Sequence, residues 1–111
     1  MKITTDKQKE CAVVRLEGNI DGQTAPVVQS EILPMIASHP NIMLDVSKVG
    51  YMSSAGLRVL LLLYRQVAAK NGKAVIVGLS DAIKETMEMT GFLDFFTLAA
   101  TEEEGMKKIK N

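Results

Sequence analysis

The sequence predicts an α/β domain, with one mixed sheet of about four to five strands and about four helices packed mainly on it. Three observations predict this class. Short apolar or β-branched runs alternate with longer stretches of helical spacing along the whole chain. Two of the runs, 41–46 and 73–77, are bridged by one helix-length segment, an arrangement that pairs strands in parallel through a right-handed crossover. Finally, 111 residues leave room for one core and no second one, so a single domain is expected to span 1–111.

Ile3 to Thr5 reads as a short first strand, and Asp6-Lys7-Gln8-Lys9 as a polar turn. Cys11-Ala-Val-Val-Arg-Leu-Glu17, closed by Gly18, is the β-branched partner strand. From Thr24 to Ser38 the residues Val27, Val28, Ile32, Met35 and Ile36 recur at helical spacing, with Thr24 or Asp21 as candidate caps and Pro26 tolerable in the first turn. Pro34 lies inside that helix, where a missing N–H and a ring clash predict a bend or an early end. Asn41 to Val46 has the apolar character of a buried strand, and Ser47 to Ser54 reads as a loop. Ser54 to Lys70 is the most strongly helical stretch, and Asn71-Gly72 ends it in a left-handed turn. Lys73 to Val77 is a second buried strand. Ser80 caps a third helix whose apolar residues are Ala82, Ile83, Met87 and Met89; Gly91 stops it, and Phe92 and Leu93 fold back on its last turn. Phe95 to Leu98 is a final short strand. Thr101 then caps a helix to Lys110, with Glu102, Glu103 and Glu104 in the first turn and lysines in the last, which complements the helix dipole.

Composition narrows the function. With 13 Lys plus Arg against 13 Asp plus Glu, the chain has no basic field for nucleic-acid phosphates or for an anionic membrane surface, so neither is expected as a partner. The apolar run Val59 to Tyr64 is far short of the ~20 residues that span a bilayer, and Met1 to Thr5 has no signal-peptide core, which points to a soluble cytoplasmic protein. The lone Cys11 has no disulfide partner, and with the lone His39, expected on the surface, it forms no metal set. Gly18 and Gly22 are too sparse for a dinucleotide fingerprint. With no P-loop, no Gly-x-Ser-x-Gly elbow and no His paired with a nucleophile, the sequence points away from an enzyme and calls for no cofactor.

Tyr51-Met-Ser-Ser-Ala-Gly-Leu57 is the informative segment, because it sets two adjacent hydroxyls where a loop turns into the main helix. Ser53 is positioned as the N-cap, accepting from the amides of Ala55 or Gly56, which leaves Ser54 in the first turn. At about 100° per residue, Leu57, Leu60, Leu63, Tyr64 and Val67 form a core face, while Ser54, Arg58, Leu62 and Arg65 share an outward stripe with Leu61 at its edge. Each feature also has a purely structural explanation: serine is a common cap, Gly56 permits close packing, and one exposed Leu is ordinary. The functional reading is a phosphate-accepting serine, since the helix amides and dipole favour a negative charge there and Arg58 lies one turn on.

Three segments resemble the STAS domain of bacterial anti-sigma-factor antagonists: Leu16-Glu-Gly-Asn-Ile-Asp21-Gly-Gln-Thr24, Leu44-Asp-Val-Ser-Lys-Val-Gly-Tyr-Met-Ser-Ser-Ala-Gly-Leu57, and Glu88-Met-Thr-Gly91-Phe. Together they span nearly the whole chain, and the central one is the specific one. The resemblance implies a STAS-like fold and a partner-switching protein: it binds an anti-sigma factor that is also a serine kinase of the GHKL type, so releasing a sigma factor, until phosphorylation abolishes binding and a serine phosphatase restores it. The phosphoacceptor falls on Ser54. The family's usual Asp just before the acceptor is Ser53 here, and Asp21 matches the family's acidic loop position near the switch serine. The expected partner surface is therefore Asp21, Gly22, Gln23, Ser53, Ser54, Arg58, Leu61, Leu62 and Arg65. Two alternatives stand beside this: a STAS module of another partner-switching or transport-associated pathway without a sigma factor, and a small nucleotide-binding or enzymatic domain.

Overall fold

A computed structural model describes residues 1–110; Asn111, the last residue of the expected span 1–111, lies outside the described residues. Strands β1 (Lys2–Lys7) and β2 (Ala12–Glu17) pair antiparallel, while β3 (Ile42–Lys48), β4 (Ala74–Val77) and β5 (Thr97–Ala99) add in parallel. The result is a mixed sheet of 5 strands in the order β1-β2-β3-β4-β5. Helices α1 (Ala25–Ser38), α2 (Ser54–Ala69), α3 (Asp81–Thr90) and α4 (Glu102–Lys110) alternate with the parallel strands, as the sequence predicts.

The sheet is covered on both faces, which explains why β2, β3 and β4 read as apolar runs with little alternation. On one face Val14, Leu16, Leu44, Val46 and Ile76 pack beneath Val28, Ile32 and Ile36 of α1, Leu57, Leu60, Leu63 and Val67 of α2, and Ile83 and Met87 of α3. On the other, Val13, Met43, Val75, Val77 and Ala99 lie beneath α4 through Ile109. A bidentate ion pair, Arg15 Nε and Nη2 to Glu102 at 2.8 Å each, fastens the start of α4 to β2. Among the described residues no helix is long and apolar enough to cross a membrane.

Several local expectations need correction. Helix α1 does not end at Pro34 but runs on to Ser38; the proline is exposed, so water can satisfy the carbonyl its missing N–H leaves free. Ser47 and Lys48 belong to β3 rather than to the following loop. In α3 only Ile83 and Met87, one turn apart, are buried; Ala82 is exposed and Met89 is 81% exposed, because its position lies about 200° around the helix from Met87. Phe95 closes a 3₁₀ turn, Leu93–Phe95, and the strand starts at Thr97. After α2 the left-handed residue is Asn71, with φ of 58°, whereas Gly72 serves close approach: a Cβ there would lie 1.9 Å from the Pro40 carbonyl oxygen.

Candidate functional site

The site forms where the loop after β2 meets the loop after β3. Ile20 donates its N–H to the Tyr51 carbonyl at 3.0 Å, and its own carbonyl accepts from the Ser53 N–H at 2.8 Å. This isolated parallel bridge, Ile20 with Met52, extends the β2–β3 pairing past the strand ends. It carries Asp21 and Ser53 out of the sheet side by side. Gly56, in the first turn of α2, seats on the bridge: a Cβ there would lie 2.6 Å from Met52 Cγ and 2.8 Å from Ile20 Cγ2.

The two serines have divided roles. Ser53 is the N-cap of α2, its hydroxyl accepting from the Gly56 N–H at 3.4 Å. Ser54 follows as the first helical residue, exposed, and among the described residues its hydroxyl has no hydrogen-bond partner. Asp21 fixes the facing loop: its Oδ1 accepts from the backbone N–H groups of Gln23 at 2.9 Å and Thr24 at 3.1 Å, while the Thr24 hydroxyl accepts from the Asp21 N–H at 2.9 Å. Those hydrogen bonds from Thr24 and Gln23 hold the Asp21 carboxyl below its ordinary value. Of the two candidate caps, Thr24 occupies the N-cap position of α1 without a side-chain cap bond, and Asp21 orders the turn ahead of it.

Helix α2 shows the predicted core face: Leu57, Leu60, Leu63 and Val67 are buried, and the half-buried Tyr64 packs on Phe95 and Phe96 with ring centroids 5.3 and 5.6 Å away. Ser54, Arg58 and Arg65 face solvent as expected. Leu62 does not stand free: it is half-buried, and with Ala25, Pro26, Ala55 and Val59 it lines a shallow groove of about 280 Å³ between α1 and α2, with Gly22 and Arg58 at its rim. Gln23 is exposed and, like Leu61 and Arg65, lies outside that groove. Ala25, Pro26 and Gln29 of α1, and Ala55 and Val59 of α2, also line the groove and were not among the expected site residues. The one signal for those of α1 is the i, i+3 pair Pro26 and Gln29 at the edge of the apolar face, which is meaningful only once α1 is known to lie against α2.

The chain as a whole is similar to proteins of known type. BtrV of Bordetella bronchiseptica is 32% identical over 104 residues, covering 93% of this chain and 90% of that one. The anti-sigma-B factor antagonist of Bacillus subtilis is 28% identical over 109 residues, covering 96% and 100%. Among solved structures, the Bacillus anti-sigma factor antagonist SpoIIAA in its unphosphorylated form superposes with a TM-score of 0.80 at 19% identity, over 99% of both chains. The family model for the STAS domain matches residues 2–105, a span that takes in every strand, the bridged loops and the serine pair; on that match, the chain belongs to the STAS domain family.

Proposed function

We propose that this protein is an anti-sigma-factor antagonist, acting by reversible protein binding controlled at Ser54 and not by catalysis. Its relative of known type in Bacillus subtilis carries that name across its full length. The observation that carries the reading is the free Ser54 hydroxyl at the start of α2, exposed beside the loop that Asp21 orders. The partner is an anti-sigma factor with serine kinase activity. It meets the surface formed by Asp21, Gly22, Gln23, Ser53, Ser54, Arg58, Leu61, Leu62 and Arg65, with Leu62 offering the wall of a groove. Transfer of the ATP γ-phosphoryl group to the Ser54 oxygen releases ADP and a proton, and a phosphatase returns the hydroxyl by hydrolysis.

Ser54 rather than Ser53 is the acceptor, because the Ser53 oxygen is engaged by a helix amide. The test is incubation with ATP, Mg²⁺ and the anti-sigma serine kinase from the same genome, followed by peptide mapping and gel filtration. One phosphate on Ser54, with complex formation by the unmodified form alone, is the expected result. Phosphate on Ser53, or full incorporation into Ser54→Ala, overturns the assignment.

A further inference from the structure

The outward stripe of α2 carries two cations, Arg58 and Arg65, and the helix from Ser54 to Ala69 contains no Asp or Glu. Arg15, elsewhere, is tied up in its bidentate pair with Glu102. Arg58, in contrast, is exposed and has no ion pair among the described residues. The acid in the facing loop, Asp21, already spends one carboxylate oxygen on two backbone amides. Arg58 therefore has spare donors at the rim of the groove that Leu62 lines.

Its position relative to Ser54 is specific. Residues four apart on a helix have Cβ atoms about 5–6 Å apart. Helical side chains lean toward the N-terminus, so position 58 puts the turn that begins at Ser54 within reach of an arginine side chain. A guanidinium presents a planar fork that matches either a carboxylate or a phosphate in bidentate geometry.

We propose that Arg58 reads the state of Ser54: its guanidinium pairs with a carboxylate of the protein partner when Ser54 is free, and with the phosphate when Ser54 is modified. This deepens the Ser54 reading and rests on it. Phosphorylation then acts twice, by putting about −1.5 to −2 charges into the interface and by withdrawing the cation that the partner's acid needs. The partner surface facing α2 is accordingly acidic at that point.

Two measurements test this. The first needs no partner: the protein is made with phosphoserine incorporated at position 54, and its ³¹P resonance is titrated in the wild-type and Arg58→Gln backgrounds. The second pKa of phosphoserine is ordinarily about 6. Pairing with Arg58 should hold it lower in wild type than in Arg58→Gln by roughly 0.2–0.4 units, as an exposed i, i+4 ion pair implies. Equal values in the two backgrounds overturn the proposal. The second measurement is calorimetric affinity of the unphosphorylated protein for the anti-sigma factor of the same genome. Arg58→Gln should lose at least fivefold and Arg58→Glu more, with Arg58→Lys between wild type and Gln; unchanged affinity for Arg58→Glu overturns it. Because the position is exposed and Gln is a good helix former, the Gln variant should melt with wild type. Ser54→Asp and Ser54→Ala run alongside. If those two bind equally, the Ser54 reading fails by itself, whereas the ³¹P comparison judges Arg58 separately.

Discussion

Replacing Gly56 by alanine should loosen the joint on which the site is built, against the usual preference of helices for alanine. In an unconstrained helix interior the change would stabilise by about 0.5–1 kcal/mol. Here the new methyl would meet Met52 Cγ at 2.6 Å and Ile20 Cγ2 at 2.8 Å, contacts that have to open. Ile20 is 1% exposed and Met52 7%, so neither side chain can swing into solvent without leaving the core. Forcing a methyl into a packed site costs about 1–3 kcal/mol. At the middle of both ranges overpacking wins by about 1.3 kcal/mol, a fall in Tm of roughly 5 °C for 111 residues. Urea unfolding followed by circular dichroism would report it as a lower midpoint at unchanged slope. Because Ile20 and Met52 hold the loops that carry Asp21 and Ser53, affinity for the anti-sigma factor should also fall while the protein remains folded. A Gly56→Ala protein with a midpoint equal to or above wild type would refute the close-packing argument, and normal affinity alongside a lowered midpoint would detach the bridge from the binding surface.

Further outcomes follow from the same geometry. Ser54→Asp should melt within a few degrees of wild type, since the helix N-terminus accommodates the charge. It should nevertheless lose at least tenfold in affinity for the anti-sigma factor while Ser54→Ala stays bound, because a charge pressed into an interface must shed water; calorimetric titration decides. Leu60→Ala removes a fully buried side chain and should cost about 2–5 kcal/mol in urea unfolding. The half-buried Leu62→Ala should cost clearly less yet weaken partner binding, and equal losses of stability would show that Leu62 belongs to the core. Hydrogen bonds from the amides of Thr24 and Gln23 depress the folded-state value of Asp21 below its unfolded value of about 3.9. The stability this gives is present above that value and lost as pH falls through the folded one. The stability gap between wild type and Asp21→Asn should therefore narrow as the pH is lowered from about 5 through the unfolded value and below it, and a gap independent of pH would refute the role of the charge.

Local chemistry written in neighbouring residues determined much of this protein. Apolar runs bounded by Gly, Pro and polar turns mark the inner strands β2, β3 and β4 and the four helices, Ser80 and Thr101 cap where a hydroxyl stands three residues before the amide it meets, and the core face of α2 follows from its periodicity. The division of labour between Ser53 and Ser54 is likewise a local matter, since a cap and its amide lie within one turn. What the chain could not announce are relations between segments distant in sequence. The Ile20–Met52 bridge joins residues that no periodicity links, and the need for glycine at position 56 follows from that bridge alone. The phase of α2 put Leu62 on the outward side correctly, but whether such a side chain meets water or a neighbour depends on α1, and the docking of α1 beside α2 turned an exposed leucine into the wall of a groove. Pro34 and Met89 show the same limit in reverse: the helix continues past the proline where the freed carbonyl can face water, and a methionine enters the core only on the face the sheet covers. Spacing along the chain sets which residues share a face, and tertiary packing decides what that face touches.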